Sequence, residues 1–438
     1  MSKIEENNNL VEENEKLRKE NEELKKTCAE QKKQIKKSEE YSGKGKTINK
    51  KGLVISGNFR LIIYSNGVKE FFLYSDNNIF LDIDEKISKK IFRFEGISEN
   101  EEKIVIKKNI LCGSEGRQIW KFLPCDLEIK EGKFIRGKKE VRYYLNNMNL
   151  GKISVYKRDF FIDKQKYRVC PYYYDKNSKD LLEYYGICQT TAIIRFETNS
   201  IYISNKTKTI HQLLYLLSFY TANYVSLEKI EIVQDNALKR IYFDDKKYPY
   251  SENDGILRFS YSNPISDVIE KTYPNFEAIL NKINDFHDLI EFYIESFRCV
   301  TLEAKFALIA ILFEALKERY IKSCLIDEHK RDNKGNYIKN KKGKRIKKSF
   351  KEILEEIFNL EKFRYSEKNL KLLIDIRNLV IHEGKSKNPI KKITFKKTTK
   401  AYYLALNIFE RFMLEILGYK GIYLEKSHDK GFNWTKFR

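Results

Sequence analysis

Proline is scarce in this 438-residue chain, at 6 residues, and the 7 cysteines and 5 histidines are widely scattered. Cys28, Cys112, Cys125, Cys170, Cys188, Cys299 and Cys324 include no C-x-x-C pair, which argues against a zinc ribbon. Their odd number and irregular spacing do not make a disulfide framework, and fit a reducing compartment. The longest apolar stretch, residues 304–316, is interrupted by Lys305 and Glu314 and is too short to span a bilayer. The N-terminus is acidic and polar rather than signal-like. The glycines of 43–47 lack the full phosphate-loop pattern, G-x4-G-K-[ST], and no strand precedes them. These absences predict a cytoplasmic protein with no cofactor, no metal and no membrane.

Charge and aromatics are abundant instead. Lys and Arg number 84 against 62 Asp and Glu, a formal net charge of +22, which favours a polyanionic partner. The 29 tyrosines and 28 phenylalanines argue for packed cores and against general disorder.

Residues 1–41 carry a heptad, with Leu10, Leu17 and Leu24 at d and Asn7, Asn14 and Asn21 at a. Glu13 and Glu20 at g face Arg18 and Lys25 at e of a partner, the pattern of a dimerising coiled coil. Residues 42–51 read as a linker. From 52 to 262, short β-branched and aromatic runs alternate with turn signals such as Ser65-Asn66-Gly67 and Glu131-Gly132. That spacing predicts an antiparallel sandwich or barrel-like unit, with strands that include 53–56, 59–64, 68–74, 79–84, 141–145 and 152–156. One buried helix, 210–220, interrupts it. Three-to-four apolar spacing then predicts five helices, at 274–297, 302–321, 350–360, 366–383 and 399–417. No internal repeat is apparent.

The helix starting near Ser366 holds the most informative residues. Leu370, Leu373, Ile374, Val380 and Ile381 share one face, and Arg377 falls within it. A guanidinium there requires a buried acid or a bound anion, because an unpaired buried charge is costly. Asn378 and His382 lie at i and i+4 on a neighbouring face, and Gly384 stops the helix. His382 therefore lies in the last turn, where the negative end of the helix dipole favours imidazolium. Arg plus His suits RNA transesterification, in which imidazole transfers the proton of a 2′-hydroxyl or leaving oxygen and guanidinium stabilises phosphate charge. The bland alternative is an Arg anchored to a buried Glu and a His capping a helix end.

The run Ile376-Arg377-Asn378-Leu379-Val380-Ile381-His382-Glu383-Gly384 resembles the R-x4-6-H signature of the HEPN superfamily. The helix around Phe306–Leu316, with its acid at Glu314, resembles that family's first long helix. A strand-rich region preceding such a domain is similar in architecture to the ApeA-type abortive-infection proteins. The resemblance implies catalysis by Arg377 and His382, with Asn378 at the polar position after the Arg and Glu314 in support. It also implies a composite site between two protomers, in a toxin-like antiviral ribonuclease answering a phage-derived trigger. Gly384 stands where HepT-type toxins carry a Tyr, which disfavours that subfamily.

A basic run follows the second helix of the predicted block. Lys339, Lys341, Lys342, Lys344, Arg345, Lys347 and Lys348, with Tyr337 to stack a base, are the candidate RNA contacts. A solvated excursion is the alternative there. A second run, 385–400, follows His382. The expected protein is thus a multidomain α+β chain: a coiled coil (1–41), an antiparallel β-rich regulatory domain (52–262) and an all-α HEPN-like nuclease domain (268–422). It would act on RNA as a homodimer or higher oligomer. A catalytically inactive scaffold that binds nucleic acid or a protein is the competing reading.

Overall fold

The computed structural model describes residues 37–49, 54–64, 69–75, 91–115, 119–148, 159–171, 190–200, 203–243, 255–257, 264–299, 301–382, 395–427 and 431–437. The chain forms two compact units, one built mainly from residues before 135 together with 235–244, the other from most of the remainder.

The first unit is a closed antiparallel barrel. Its strands are β1 (Lys37–Asn49), β2 (Val54–Tyr64), β3 (Lys69–Ser75), β4 (Ile91–Ser98), β5 (Lys103–Glu115) and β6 (Ile119–Glu131). They run in the order β3-β2-β1-β4-β5-β6, and pairing of β3 with β6 closes the six-stranded ring. Alternation along β2 sends Ile55, Phe59, Leu61 and Ile63 inward, as the two-residue period of a strand requires. Phe71, Phe92, Phe94 and Phe122 meet them, with the Phe71 and Phe94 rings 4.6 Å apart between centroids. Closure removes the unpaired edges that an open sheet would present.

The second unit contains a sheet ordered β11-β7-β10-β9-β8. Its strands are β7 (Lys139–Asn146), β8 (Asp159–Ile162), β9 (Gln165–Pro171), β10 (Thr190–Thr198) and β11 (Ser226–Gln234), while β12 (Ala237–Tyr242) pairs with β6 in the first unit. Helix α1 (Ser204–Thr221) buries Leu213, Leu214, Leu216 and Leu217. Helices α2 (Ile265–Lys282), α3 (Asp288–Arg298), α4 (Leu302–Lys322), α5 (Phe350–Leu360), α6 (Glu367–His382) and α7 (Phe395–Ile416) follow, then a hairpin of β13 (Gly421–Ser427) and β14 (Gly431–Phe437).

The expected sequence of coiled coil, β-rich middle domain and all-α C-terminal domain is therefore corrected to a β-rich architecture. Its described part has fourteen strands and seven helices. Residues 37–49, read as coiled-coil end and linker, form β1 and pair with both β2 and β4. The glycines that suggested a linker are packing positions, since a Cβ at Gly43 would overlap the Ile97 carbonyl. The helical region ends in a hairpin because Tyr423 and Leu424 are buried core residues. The heptad of 1–36 and the predicted strands 79–84 and 152–156 lie outside the described residues.

Two helix boundaries also differ from expectation. Pro274, where the predicted 274–297 helix begins, lies inside α2, whose buried face extends back to Ile265, Val268 and Ile269. A proline there forgoes one helical hydrogen bond, a cost of about 3 kcal/mol that the burial of Tyr273 and Phe276 offsets. The predicted 274–297 helix is broken before α3, where Asp285 adopts a left-handed conformation with φ 53°. Among the described residues, no helix is long and apolar enough to cross a membrane.

Candidate functional site

Helix α4 begins at an N-cap in which Thr301 accepts from the Ala304 backbone N–H at 3.3 Å. It buries Phe306, Ile309, Leu312, Phe313 and Leu316, leaving Glu314 half-exposed at the edge of that face. On α6, Leu370 and Leu373 are buried, and one turn later Arg377 retains only 12% side-chain exposure. The partner demanded by that burial is Glu314. Arg377 Nε donates to Glu314 Oε1 at 2.6 Å, and its Nη2 lies on the same oxygen. Such a charge-assisted fork fixes the guanidinium plane.

Three further groups hold this arrangement. Asn378 Oδ1 accepts from Arg377 Nη1 at 2.8 Å. The Phe350 ring lies against the guanidinium, 4.6 Å from its carbon to the ring centroid. Phe350 is placed there by the start of α5, where Ser349 and Glu352 form a reciprocal capping box. Lys317 donates to Glu314 Oε2 at 2.8 Å; burial lowers its pKa, but Glu314 and Glu318 outweigh that and leave it raised. His382 is the last residue of α6, five positions after Arg377. The basic run 385–394 lies outside the described residues, and Lys400 is exposed on α7.

The other basic run, 327–348, is neither extended nor a plain excursion. Three short segments pair with one another through the bridges His329↔Lys347, Arg331↔Tyr337 and Lys339↔Arg345. At their centre the backbone bonds run in a ring: Lys330 N–H to Ile346 (2.8 Å), Ile346 N–H to Ile338 (2.9 Å) and Ile338 N–H to Lys330 (3.0 Å). The segments thus form a small pseudo-threefold trefoil, with two legs closed by turns and the third joined to α4 and α5.

The trefoil rests on an eight-residue tandem repeat that corrects the reading of no internal repeat. Asp332, Gly335, Tyr337, Ile338 and Lys339 correspond to Asn340, Gly343, Arg345, Ile346 and Lys347. In each turn the Asx side chain accepts two backbone N–H groups, from Lys334 and Asn336 at 2.9 Å and from Lys342 and Lys344 at 2.9 and 3.0 Å. The glycines take φ 83° and 75°, which a turn of this kind requires. Lys334, Gly335, Ile338 and Lys339 recur unchanged as Lys342, Gly343, Ile346 and Lys347, but the unit is only eight residues long and occurs twice, so the repeat is faint in the sequence.

The predicted RNA contacts divide into two groups within this trefoil. Lys339, Lys341, Lys342 and Lys344 are exposed and carry no side-chain ion pair among the described residues. Lys347 pairs with Glu328 at 2.9 Å and Lys348 with Glu356 at 2.6 Å, both on the anchored side. Arg345 stacks on Tyr337, 4.0 Å from its centroid, and Arg331 does so at 4.1 Å. Arg331 also bonds Asp327, Gly335 and the Tyr337 hydroxyl. Tyr337, expected to stack a base, is instead the packed centre of the trefoil.

Elsewhere, His287 contacts Tyr215 and Asp288, and His329 approaches Asp327 and Glu328. The described residues contain no group of three or more His, Cys, Asp or Glu side chains able to hold a metal ion. Residues 281–435 match the family model of the YopA C-terminal domain, an interval that contains Glu314, the trefoil, Arg377 and His382. No curated protein and no solved structure matches the chain.

Proposed function

We propose that this chain is an endoribonuclease of HEPN type that cleaves RNA by transesterification, acting as a homodimer in antiviral, abortive-infection defence. The observation that carries the reading is the oriented Arg377: Glu314 holds it from a neighbouring helix, Asn378 from its own, and His382 closes the same helix. In this role His382 takes the proton of the attacking 2′-hydroxyl or returns one to the leaving 5′-oxygen. Arg377 stabilises the charge that gathers on the equatorial phosphate oxygens, with Glu314 and Asn378 as positioning residues. A second protomer would supply the matching half of a composite site. The barrel unit would restrain that dimer or sense a phage-derived trigger.

The reaction uses side-chain proton transfer alone, so it should run in EDTA and leave cyclic-phosphate ends. Purified Arg377→Ala and His382→Ala are expected to lose cleavage by at least about 100-fold, the usual worth of a positioned acid or base, while their circular dichroism and oligomeric mass match wild type. Equal cleavage by wild type and His382→Ala would sink the assignment.

One observation favours the competing reading of an inactive scaffold. The guanidinium of Arg377 already contacts Glu314, Asn378 and Phe350, as a purely structural arginine would. Salt-sensitive RNA binding without cleavage by wild-type protein at high concentration would decide for it.

A further inference from the structure

The trefoil separates its charges into two zones. On the side joined to the helices four cations have acids: Lys330 meets Glu352 at 2.7 Å, Arg331 meets Asp327 at 2.7 Å, and Lys347 and Lys348 are paired as above, while Arg345 lies on Tyr337. On the two turns the balance reverses. Between 332 and 344 stand five lysines, Lys334, Lys339, Lys341, Lys342 and Lys344, against one acid, Asp332. Asp332 is already engaged by the backbone, and in the second turn the neutral Asn340 performs the same task. The second turn therefore projects three lysines with no acid beside them.

The same geometry limits what those lysines can do. Arg331 spends its donors on Asp327, Gly335 and the Tyr337 hydroxyl, and Arg345 lies with its guanidinium against the Tyr337 ring. Tyr337 is the module's one tyrosine and has two guanidinium groups over its ring, so it offers no stacking platform. Non-specific single-strand binders depend on such platforms. What remains is a set of point charges on two turns held at fixed spacing by a closed ring of backbone bonds. That arrangement matches phosphates spaced regularly along a stiff duplex better than those of a flexible strand. A-form RNA is recognised in this manner, through its shape, phosphates and 2′-hydroxyls rather than its base edges.

We infer that the 327–348 trefoil is a docking fork for the phosphate backbone of duplex RNA, binding without regard to base sequence. Its exit strand leads through Ser349 directly to Phe350, the ring against Arg377. A duplex gripped by the turns is thereby delivered near α6, and cleavage would fall at unpaired positions flanking the duplex. The inference rests on the proposed function for RNA as the ligand; the fork itself follows from the paired and unpaired charges.

The test measures binding by fluorescence anisotropy with the full chain carrying His382→Ala, so that RNA stays intact. The probes are two 20-bp RNA duplexes of unrelated sequence, a 20-nt uridine strand and a 20-bp DNA duplex. Both RNA duplexes should bind equally, and the uridine strand and DNA about 10-fold more weakly or worse. Adding Lys341→Ala, Lys342→Ala and Lys344→Ala should weaken RNA duplex binding by about 10-fold or more and lower the salt slope by about two to three, near one per lysine. These side chains are exposed, and the turn uses backbone groups of Lys342 and Lys344 rather than lysine side chains, so an unchanged melting temperature is the folding control. Undiminished binding by the triple variant overturns the fork, as does a uridine strand that binds as tightly as the duplex. Equal binding of the DNA duplex overturns RNA as its ligand. If the duplex binds as expected while wild type cleaves no RNA, the nuclease reading fails and the fork stands.

Discussion

Lys426 and Glu410 are a more deeply buried pair than Arg377 and Glu314, with side-chain exposures of 2% and 0% against 12% and 22%. Lys426 Nζ lies 2.5 Å from Glu410 Oε1, the Tyr293 hydroxyl donates to the same oxygen at 2.6 Å, and the ammonium lies 5.1 Å from the Phe297 centroid. Burial first, then the Glu410 charge, pushes the Tyr293 pKa well above its usual value, so the phenol remains a donor. Glu410 Oε2 is buried with no hydrogen-bond partner among the described residues, which makes the carboxylate depend on Lys426 for compensation. Lys426→Met should therefore cost about 3 kcal/mol or more at neutral pH, because it strands a buried charge. Adding Glu410→Gln removes that charge and keeps an acceptor for Tyr293, so the double variant should recover most of the loss. Urea unfolding of the four proteins checks this; strictly additive effects would show that the pair is not coupled.

At the scale of elements, acid should loosen the trefoil before it unfolds the helices that carry it. Asp327 is held at about 2, first by the His329 backbone N–H and then by Arg331. Glu352 is also held at about 2, first by Lys330 and then by the Ser349 backbone N–H. Both pKa values are depressed on folding. Their contribution is complete above the ordinary carboxylate range and is lost as pH falls from about 4.5 through about 2. Amide-exchange protection at Lys330, Ile338 and Ile346, whose N–H groups close the ring, should be flat from pH 6 to 5 and fall together below about 4.5. Protection that stays constant to pH 3 would count against those two carboxylates as the anchors.

These elements also show what a sequence reveals and what it conceals. Helices α4, α5 and α6 were legible because apolar residues recur every three to four positions, and so was the need of Arg377 for an acid within an apolar face. The trefoil was not, because its order comes from Asx turns and backbone rings rather than apolar periodicity, with only Ile338 and Ile346 as apolar markers. Strand β1 was concealed for the opposite reason: Gly43 and Gly45 looked like linker residues, yet barrel closure needs them bare against β4. His382 is the last described residue of α6 and Gly384, read as its stop, lies outside the described residues; no spacing rule could foretell that Arg377 would also rest on Phe350.

For the molecule as a whole, the interval resembling the YopA C-terminal domain is smaller than the packing unit it belongs to. Residues 281–435 start near the end of α2 and omit α1 altogether. Yet Phe219 of α1 is fully buried, with its centroid 5.6 Å from that of Tyr293 and 6.3 Å from that of Phe409. The omitted part also supplies Ile256, whose carbonyl accepts the Leu424 N–H at 2.8 Å, and Asn275, whose amide donates to the Leu417 carbonyl at 3.0 Å. Burying one phenylalanine contributes about 1.5–3 kcal/mol, and α1 presents Leu213, Leu216 and Leu217 beside it. A 281–435 fragment should thus forfeit several kcal/mol, out of the 5–15 kcal/mol that a domain of this size usually has. It is expected to unfold without a sharp transition, or at least about 10 °C below the full chain, and to bind a hydrophobic dye over the surface that α1 covers. Cooperative unfolding of the fragment at the temperature of the full chain would mean that α1 and α2 are appended to the helical region rather than integral to its core. The site at Arg377 would then have to be studied as a module that stands without them.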